Sequence, residues 1–582
     1  MKIKYNFSNN DITLNQKGQK ILVKGWLDKK RNTGNKIFLN LRDFSGIIQL
    51  VVNKNHKDYK KISSIKLESV VEVQGIVVER INKNPNLKTG ETEILVEDFN
   101  ILSESQNIPL NFFNGTTESL EDYRLKYRYL ELRTEKQKNY LVKRHEITQN
   151  IRKTLLSNKF LELETPILSK SIPEGARDYL VPSRVNPYKF YALPQSPQIF
   201  KQLYMIGGFE RYFQIARCFR DEDLRSDRQP EFTQIDIETS FFSKEEIMTL
   251  IEELMQNLFK TVLNKDLKLP LMQMTYDEAL NVYGTDKPDL RFDLLIEDFT
   301  SFFDPVVLTK NDISQKIKGI KMNIQNHSDH FTRKTVDKYK QIIKDKFDLN
   351  LNFIQKKDNL FQGYLSKFII KDSFLTEQEI CFFIVYDDEI DVNNNVLKVV
   401  GFLRNELGKN LNLYDSEKEM LLWVVDFPLL EFNKSDNRYY TLHHPFTAPS
   451  NIEQLFQAPE KVKSQAYDLV WNGYEVGGGS LRNYQYPVQE FIFEKLSLKK
   501  EEIEENFGFL NEALRYGAPP HGGIALGLDR LVMLFTKTNN IRDVIGFPKN
   551  QKGQDLMLQS PSTVEKTQLD ILKIQKKNNE NV

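Results

Sequence analysis

Cysteine is almost missing from this chain: Cys218 and Cys381 are the two in 582 residues. That excludes a disulfide framework and a cysteine metal knuckle, and fits a reducing compartment. An excess of one charge is missing as well. With 81 basic against 80 acidic side chains the net charge is +1, which excludes a grip on nucleic acid by bulk charge and leaves local basic patches open. No segment approaches the roughly eighteen apolar residues of a membrane span. The opening MKIKYNFSNNDITLNQ has no apolar run of signal-peptide length. These absences predict a soluble cytoplasmic protein with no membrane partner. Neither GxGxxG nor GxxxxGK followed by Ser or Thr occurs, so two common nucleotide fingerprints are excluded.

What is present is ample for packed domains: 40% hydrophobic and 11% aromatic residues. The length suggests about three or four domains. From about residue 20 to 102 the chain reads as five short alternating strands, KILVKGWL, KIFLNLRD, GIIQLVV, SVVEVQGIVV and TEILVEDFNIL, which predicts a small barrel of the OB type. In KIFLNLRD the period of two puts Ile37, Leu39 and Leu41 on one face and Phe38 with Asn40 and Arg42 on the other. An aromatic on the polar face either covers the barrel mouth or, with Gln49 and Arg31, stacks a nucleic-acid base.

Residues 103 to 133, with Pro109 and a Gly-Thr-Thr turn, read as a connector. Thr134 and Gln137 then form a candidate capping box, and Ile147, Ile151 and Leu155 recur at helical spacing up to Phe160. Pro166 breaks that pattern and leaves an extended segment suited to an edge or a subunit contact. The final polar residues, ending KKNNENV, read as a frayed tail.

Four clusters carry candidate chemistry. CFRDEDLRSDRQPEFTQIDIE, residues 218 to 238, reads as two strands and a turn. Arg220 and Glu222 share one strand face; Gln234, Asp236 and Glu238 share another, with Ile235 and Ile237 opposite. A half-solvated sheet with cross-strand ion pairs explains one such hairpin. The arginines of the turn favour a phosphate template instead, because a guanidinium stays charged and grips oxygens in a fork. In ALPQSPQIFKQLYMIGG, Ser196 and Pro197 start a helix on which Gln198 and Lys201 are neighbours. A lone helical lysine is usually just solvated. In AYDLVWNGYEVGGGSLR, Asp468 and Glu475 suit a divalent cation near phosphates. Gly477, Gly478 and Gly479 allow close backbone approach or merely a tight bend, and Arg482 follows. In HGGIALGLDRLVMLF, Arg530 stands in the first turn of a helix, against the dipole. Either a bound anion or the neighbouring Asp529 compensates it.

Together these strings resemble the class II aminoacyl-tRNA synthetases, and closely the bacterial-type aspartyl-tRNA synthetases. FRDE with its loop is similar to the family's second motif, GLDR opening a helix to its third, and the segment around Pro166 to its first. IPEGARDYLVPSR, QSPQIFKQ, RQPEFTQID, HHPFTAP and GYEVGGGSLR are more specific still. The resemblance implies an α+β multidomain protein: an OB-type anticodon-binding barrel (1–105), a hinge (106–135), an antiparallel-sheet catalytic domain in two parts (136–289 and 416–562) around an inserted α/β domain (290–415), and a tail (563–582).

It also implies residue roles. Arg220 grips the α-phosphate, Glu222 contacts adenine, and Phe232 stacks on the base with Arg530 on its other side. Asp221, Gln229, Gly527, Leu528 and Asp529 join the ATP site, and Asp468 and Glu475 hold Mg2+. Arg482 and Lys201 meet the aspartate side chain, with Asp236 positioning the lysine. Glu174, Ser196 and Gln198 serve the ammonium end, and His443 and His444 close over the substrate. Arg31, Phe38 and Gln49 read the anticodon. The implied reaction is aspartate activation with ATP and transfer to aspartate tRNA, with asparagine tRNA as an alternative partner, by a homodimer.

Lysyl and asparaginyl enzymes are the nearest rivals. Arg482 with Lys201 repels an ammonium side chain, and facing a neutral amide an unpaired cationic pair is costly. Arg482→Leu is therefore expected to abolish activation and leave the fold intact. A non-catalytic RNA-binding relative is disfavoured because Arg220, Glu222, Glu475 and Arg530 are all present. A class I synthetase is disfavoured because neither an HIGH-like nor a KMSKS-like string occurs.

Overall fold

The structure, a computed structural model, describes residues 7–109, 120–172, 175–310, 313–387, 395–433 and 437–575. The chain divides into two compact units, Met1–Leu120 and Glu121–Val582. Glu174, the Gly-Thr-Thr turn and the terminal KKNNENV lie outside the described residues.

The first unit is a closed barrel of five strands: β1 (Lys20–Asn32), β2 (Lys36–Arg42), β3 (Ile47–Asn53), β4 (Val70–Glu79) and β5 (Thr92–Ser103), in the order β1-β2-β3-β5-β4. Alternation in β2 buries Ile37, Leu39 and Leu41 completely, as the period of two requires. Closure needs a strongly bent strand, and β5 bulges opposite Gln74 and Gly75, where Glu97 is the extra residue between their partners Asp98 and Val96. A Cβ on Gly75 would stand 2.3 Å from the Leu95 carbonyl oxygen, so only glycine lets β5 approach there.

The second unit is built on an eight-stranded sheet. Its strands are β6 (Leu161–Glu162), β7 (Arg211–Phe219), β8 (Glu231–Ser240), β9 (Met272–Thr275), β10 (Leu421–Val425), β11 (Ala466–Trp471), β12 (Tyr474–Leu481) and β13 (His521–Gly527). The order is β9-β10-β11-β12-β13-β8-β7-β6. The interior pairings are antiparallel, while the edge pairs β9–β10 and β6–β7 are parallel. One face is apolar: Ile235, Ile237, Leu469, Ile524 and Leu526 pack with Ile147, Ile151 and Leu155 of α1 (Glu135–Ser157) in one buried core. Each such side chain contributes roughly 1.5–3 kcal/mol on burial, which offsets the cost of ionised groups on the opposite face.

The expected capping box at α1 is half formed. Thr134 accepts the Gln137 backbone N–H, but no reciprocal bond from the Gln137 side chain closes the box. Two short helices within the stretch read as connector, Glu121–Lys126 and Arg128–Glu131, belong to the second unit. The Arg128 guanidinium there donates to the Arg542, Ile545 and Gly546 carbonyls.

Between 290 and 415, strands Ile296–Asp298, Ile313–Asn323, Glu379–Asp387, Asn352–Lys357 and Leu360–Gly363 lie in that order in a six-stranded antiparallel sheet. Helices Arg333–Phe347 and Asn395–Asn410 share a buried core with it. Among the described residues no helix is long and apolar enough to cross a membrane.

Candidate active site

The polar face of the sheet opens into a cavity of about 430 Å³. Because β8 alternates, the register that sends Ile235 and Ile237 into the core sends Gln234, Asp236 and Glu238 the other way. Lys201 reaches this face from α2 (Gln198–Ile206), and its Nζ stands 3.1 Å from Asp236 Oδ1 and 3.4 Å from Glu238 Oε2. Arg482 follows β12 and meets Glu238 in a fork, Nε to Oε1 at 2.9 Å and Nη2 to Oε2 at 3.1 Å. The remaining guanidinium protons go to Ser480 Oγ (2.7 Å), His444 Nε2 (2.5 Å) and the Gly523 carbonyl (3.3 Å). All five donors are thus engaged.

Burial sets the tone of the electrostatics here. It pushes the Asp236 carboxyl up despite Lys201. It also opposes Glu238 ionisation, yet Arg482 and Lys201 win and hold that carboxyl below its usual range. His444 falls well below an ordinary histidine because burial and Arg482 both disfavour its charge. For His443 burial acts the same way, but Asp468, 3.2 Å from its Nε2, raises it.

In the same cavity the Arg220 guanidinium sits 5.1 Å from the Phe232 ring centroid. Arg530, in α3 (Leu528–Phe535), donates to the Glu475 carbonyl at 2.9 Å and to Asp227 Oδ2 at 3.0 Å. Gly478 lies mid-strand in β12, so the three glycines are extended backbone and not a bend. A Cβ at Gly478 would come within 2.9 Å of Asp468 Oδ1 and 3.3 Å of Glu475 Oε1. Both carboxylates therefore close over a strip of bare backbone.

The family model described as "tRNA synthetases class II (D, K and N)" matches residues 120–551, and that described as "OB-fold nucleic acid binding domain" matches 21–102. The chain belongs to the class II tRNA synthetases. It is 56% identical to an aspartate–tRNA ligase of Aster yellows witches'-broom phytoplasma over 100% of both chains. It is 46% identical to an aspartate–tRNA(Asp/Asn) ligase of a Geobacillus species, over 97% of this chain and 96% of that one. Among solved structures, asparaginyl-tRNA synthetase from Pyrococcus horikoshii with asparaginyl-adenylate shares the fold at a TM-score of 0.60 and 19% identity, covering 94% and 98% of the two chains. Aspartyl-tRNA synthetase from Entamoeba histolytica does so at 0.58 and 18%, covering 94% and 91%.

The synthetase brings most of the predicted residues together. Ser196, Gln198, Lys201, Arg220, Glu222, Gln229, Phe232, Asp236, His443, His444, Asp468, Glu475, Arg482, Gly527, Asp529 and Arg530 all line the one cavity. Some are placed otherwise than the pattern suggests. β7 ends at Phe219, so Arg220 and Glu222 lie in the loop and share no strand face; Glu222 pairs with Arg228 at 2.6 Å. Asp221 is exposed, bridges to Arg177 through its backbone, and does not line the cavity. Leu528 is buried in the apolar core. Asp529 does not neutralise Arg530: it pairs with Arg144 and accepts the Thr233 N–H at 2.8 Å. The Gln229 amide pairs with both backbone groups of Lys549.

Asp236 stands against Lys201, the contact the resemblance implies, whereas the countercharge that Glu238 gives Arg482 was not expected. Glu238 had a place on the strand face but no role; its spacing of two from Asp236 was the available signal. Lys287, whose Nζ is 2.8 Å from Glu475 Oε2, had no local signal.

In the barrel, Arg31 and Phe38 are cross-strand partners with the guanidinium 4.8 Å from the ring. Gln49 donates to Glu93 at 2.6 Å.

Proposed function

We propose that this chain is an aspartate–tRNA ligase that activates L-aspartate with ATP and transfers it to the 3′ end of aspartate tRNA. The observation that carries the reading is Arg482, buried with five engaged donors beside Lys201, in the same cavity as Arg220, Phe232 and Arg530. To bind, a substrate side chain takes an acceptor place on Nη1 from His444 or Ser480, both neutral. A carboxylate replaces them with a charge-assisted bond about twice as strong, whereas an amide brings only another neutral acceptor. That favours aspartate over asparagine.

In the first step an aspartate α-carboxylate oxygen bonds to the α-phosphorus and the bond to pyrophosphate breaks. The residues contribute orientation and charge stabilisation rather than a nucleophile. Arg220 faces the α-phosphate, Phe232 and Glu222 take adenine, and Arg530 meets the tail. Ser196 and Gln198, with Glu174, receive the ammonium end. In the second step a hydroxyl of the terminal ribose attacks the acyl carbon and AMP leaves.

Asp468 and Glu475 fit Mg2+. Two carboxylates flank bare backbone at Gly478, and the Lys287 ammonium already sits against one as a cation. No cluster of three or more metal-binding side chains occurs among the described residues. A two-carboxylate site suits an ion that keeps waters and shares phosphate oxygens. When bound, Mg2+ neutralises phosphate charge.

The Arg31, Phe38 and Gln49 face of the barrel is the proposed anticodon reader. The half-exposed Leu161, Ile167 and Leu168 around Pro166 support a homodimer contact. The cytoplasm, where tRNA and ATP are available, is the proposed location.

ATP–pyrophosphate exchange that requires L-aspartate is the deciding experiment; equal exchange with L-asparagine overturns the reading. The Geobacillus relative's Asp/Asn name favours a second reading, in which asparagine tRNA is also charged. Aspartylation of both purified tRNAs separates the two.

A further inference from the structure

That chemistry leaves Lys287 and Arg404 without a role. Lys287 follows helix Tyr276–Tyr283, whose C-cap Gly284 is left-handed at φ 68°. Its Nζ lies 2.8 Å from Glu475 and 3.8 Å from Asp286, and it lines the same cavity as Arg220 and Arg530.

The loop carrying Lys287 is pinned by the inserted helix Asn395–Asn410. Backbones touch at two glycines: a Cβ on Gly284 would stand 2.2 Å from the Leu397 carbonyl, and one on Gly401 2.6 Å from the Gly284 carbonyl. One turn on, the fully buried Arg404 donates to the Asp289 carbonyl at 2.9 Å, the Phe292 carbonyl at 3.0 Å and the Leu294 carbonyl. Its guanidinium lies 3.9 Å from the Phe292 ring centroid. Carbonyls take the place of a carboxylate partner, so burial draws its pKa down to about 10. Burying a cation on these terms is costly. What it secures is the backbone of 289–294, and the side chain that this loop sends into the cavity is Lys287.

We propose that Lys287 binds the polyphosphate tail of ATP and that Arg404 positions it, so that the inserted region sets the ATP affinity of the catalytic cavity. An ammonium acts as a point charge toward phosphate oxygens. Lys287 meets the Glu475 carboxylate and Arg530 the Glu475 carbonyl, and the tail beyond the α-phosphate is expected at Arg530. The inference rests on the proposed function in taking ATP as the nucleotide.

The test is calorimetric binding of ATP and of AMP to the full chain, without amino acid. Lys287→Met is expected to weaken ATP about tenfold, the loss of one charge-assisted contact, and to leave AMP unchanged. Lys287→Arg is expected to recover most of that affinity. Arg404→Met is expected to weaken ATP roughly threefold or more, again sparing AMP. Unchanged ATP affinity in Lys287→Met, or equal losses for ATP and AMP, overturns the phosphate role. A lower melting temperature in Arg404→Met with a wild-type ATP-to-AMP ratio overturns the positioning role. Failure of the underlying function is distinguishable, because the wild type itself would then bind neither nucleotide.

Discussion

Arg482 and Glu238 form a two-pronged ion pair at 2.9 and 3.1 Å, with both side chains almost fully buried. The pairing changes what an Arg482 variant does. Sequence alone suggests that Arg482→Leu spares the fold. Glu238 would then be left buried with Lys201 as its remaining cation, at 3.4 Å and shared with Asp236, so the cost is about 3 kcal/mol, the low end for breaking a buried pair. Urea unfolding of Arg482→Leu should show that loss along with absent aspartate-dependent exchange. Replacing both residues by methionine should restore stability and still leave no exchange.

The adjacent glycines of β12 separate activity from folding. Gly478→Ala pushes a methyl against Asp468 and Glu475 side chains. Exchange should fall about a hundredfold, the usual cost of a misplaced site, with little change in melting temperature. Gly479→Ala meets the Gly523 carbonyl oxygen at 2.2 Å, which is backbone and cannot yield. That variant should lose stability by roughly 1–3 kcal/mol.

His444 makes stability depend on pH. Its folded pKa is depressed below the ordinary 6.5, so below that pH the unfolded chain binds a proton that the folded chain refuses. This contribution is present above 6.5 and is lost as pH falls toward the folded pKa, by up to about 1.4 kcal/mol per pH unit. His443 is raised and acts in the opposite sense as pH rises, so the comparison must be between wild type and His444→Gln. Denaturant midpoints from pH 7.5 to 5.5 should fall less steeply in the variant. Parallel slopes would refute the assignment.

Phe38→Ala should leave ATP–pyrophosphate exchange intact, because the barrel is a separate compact unit. If Phe38 stacks an anticodon base, aminoacylation should show KM for tRNA raised about tenfold or more, from stacking worth roughly 1–3 kcal/mol. An unchanged KM would return Phe38 to a cover for the barrel surface.

Local periodicity made much of this molecule legible. The alternation in KIFLNLRD placed the barrel core, and the alternation in TQIDIE separated the apolar sheet face from the polar one. Gln198 and Lys201 share the cavity because three residues make nearly one helical turn. Such readings succeed because strand and helix geometry depend only on neighbours in sequence.

Tertiary structure alone decided the partners. Asp529 belongs to Arg144, 385 residues away, and not to its neighbour Arg530. Arg482 belongs to Glu238, 244 residues away, and Lys287 reaches Glu475 from a loop fixed by Arg404 of the inserted helix. Buried charges are decided by whichever countercharges the fold brings within about 4 Å, because an unanswered ion in the interior costs several kcal/mol. The sequence thus determined which residue types face the cavity, while only the packed chain decided which of their charges are already spent on one another.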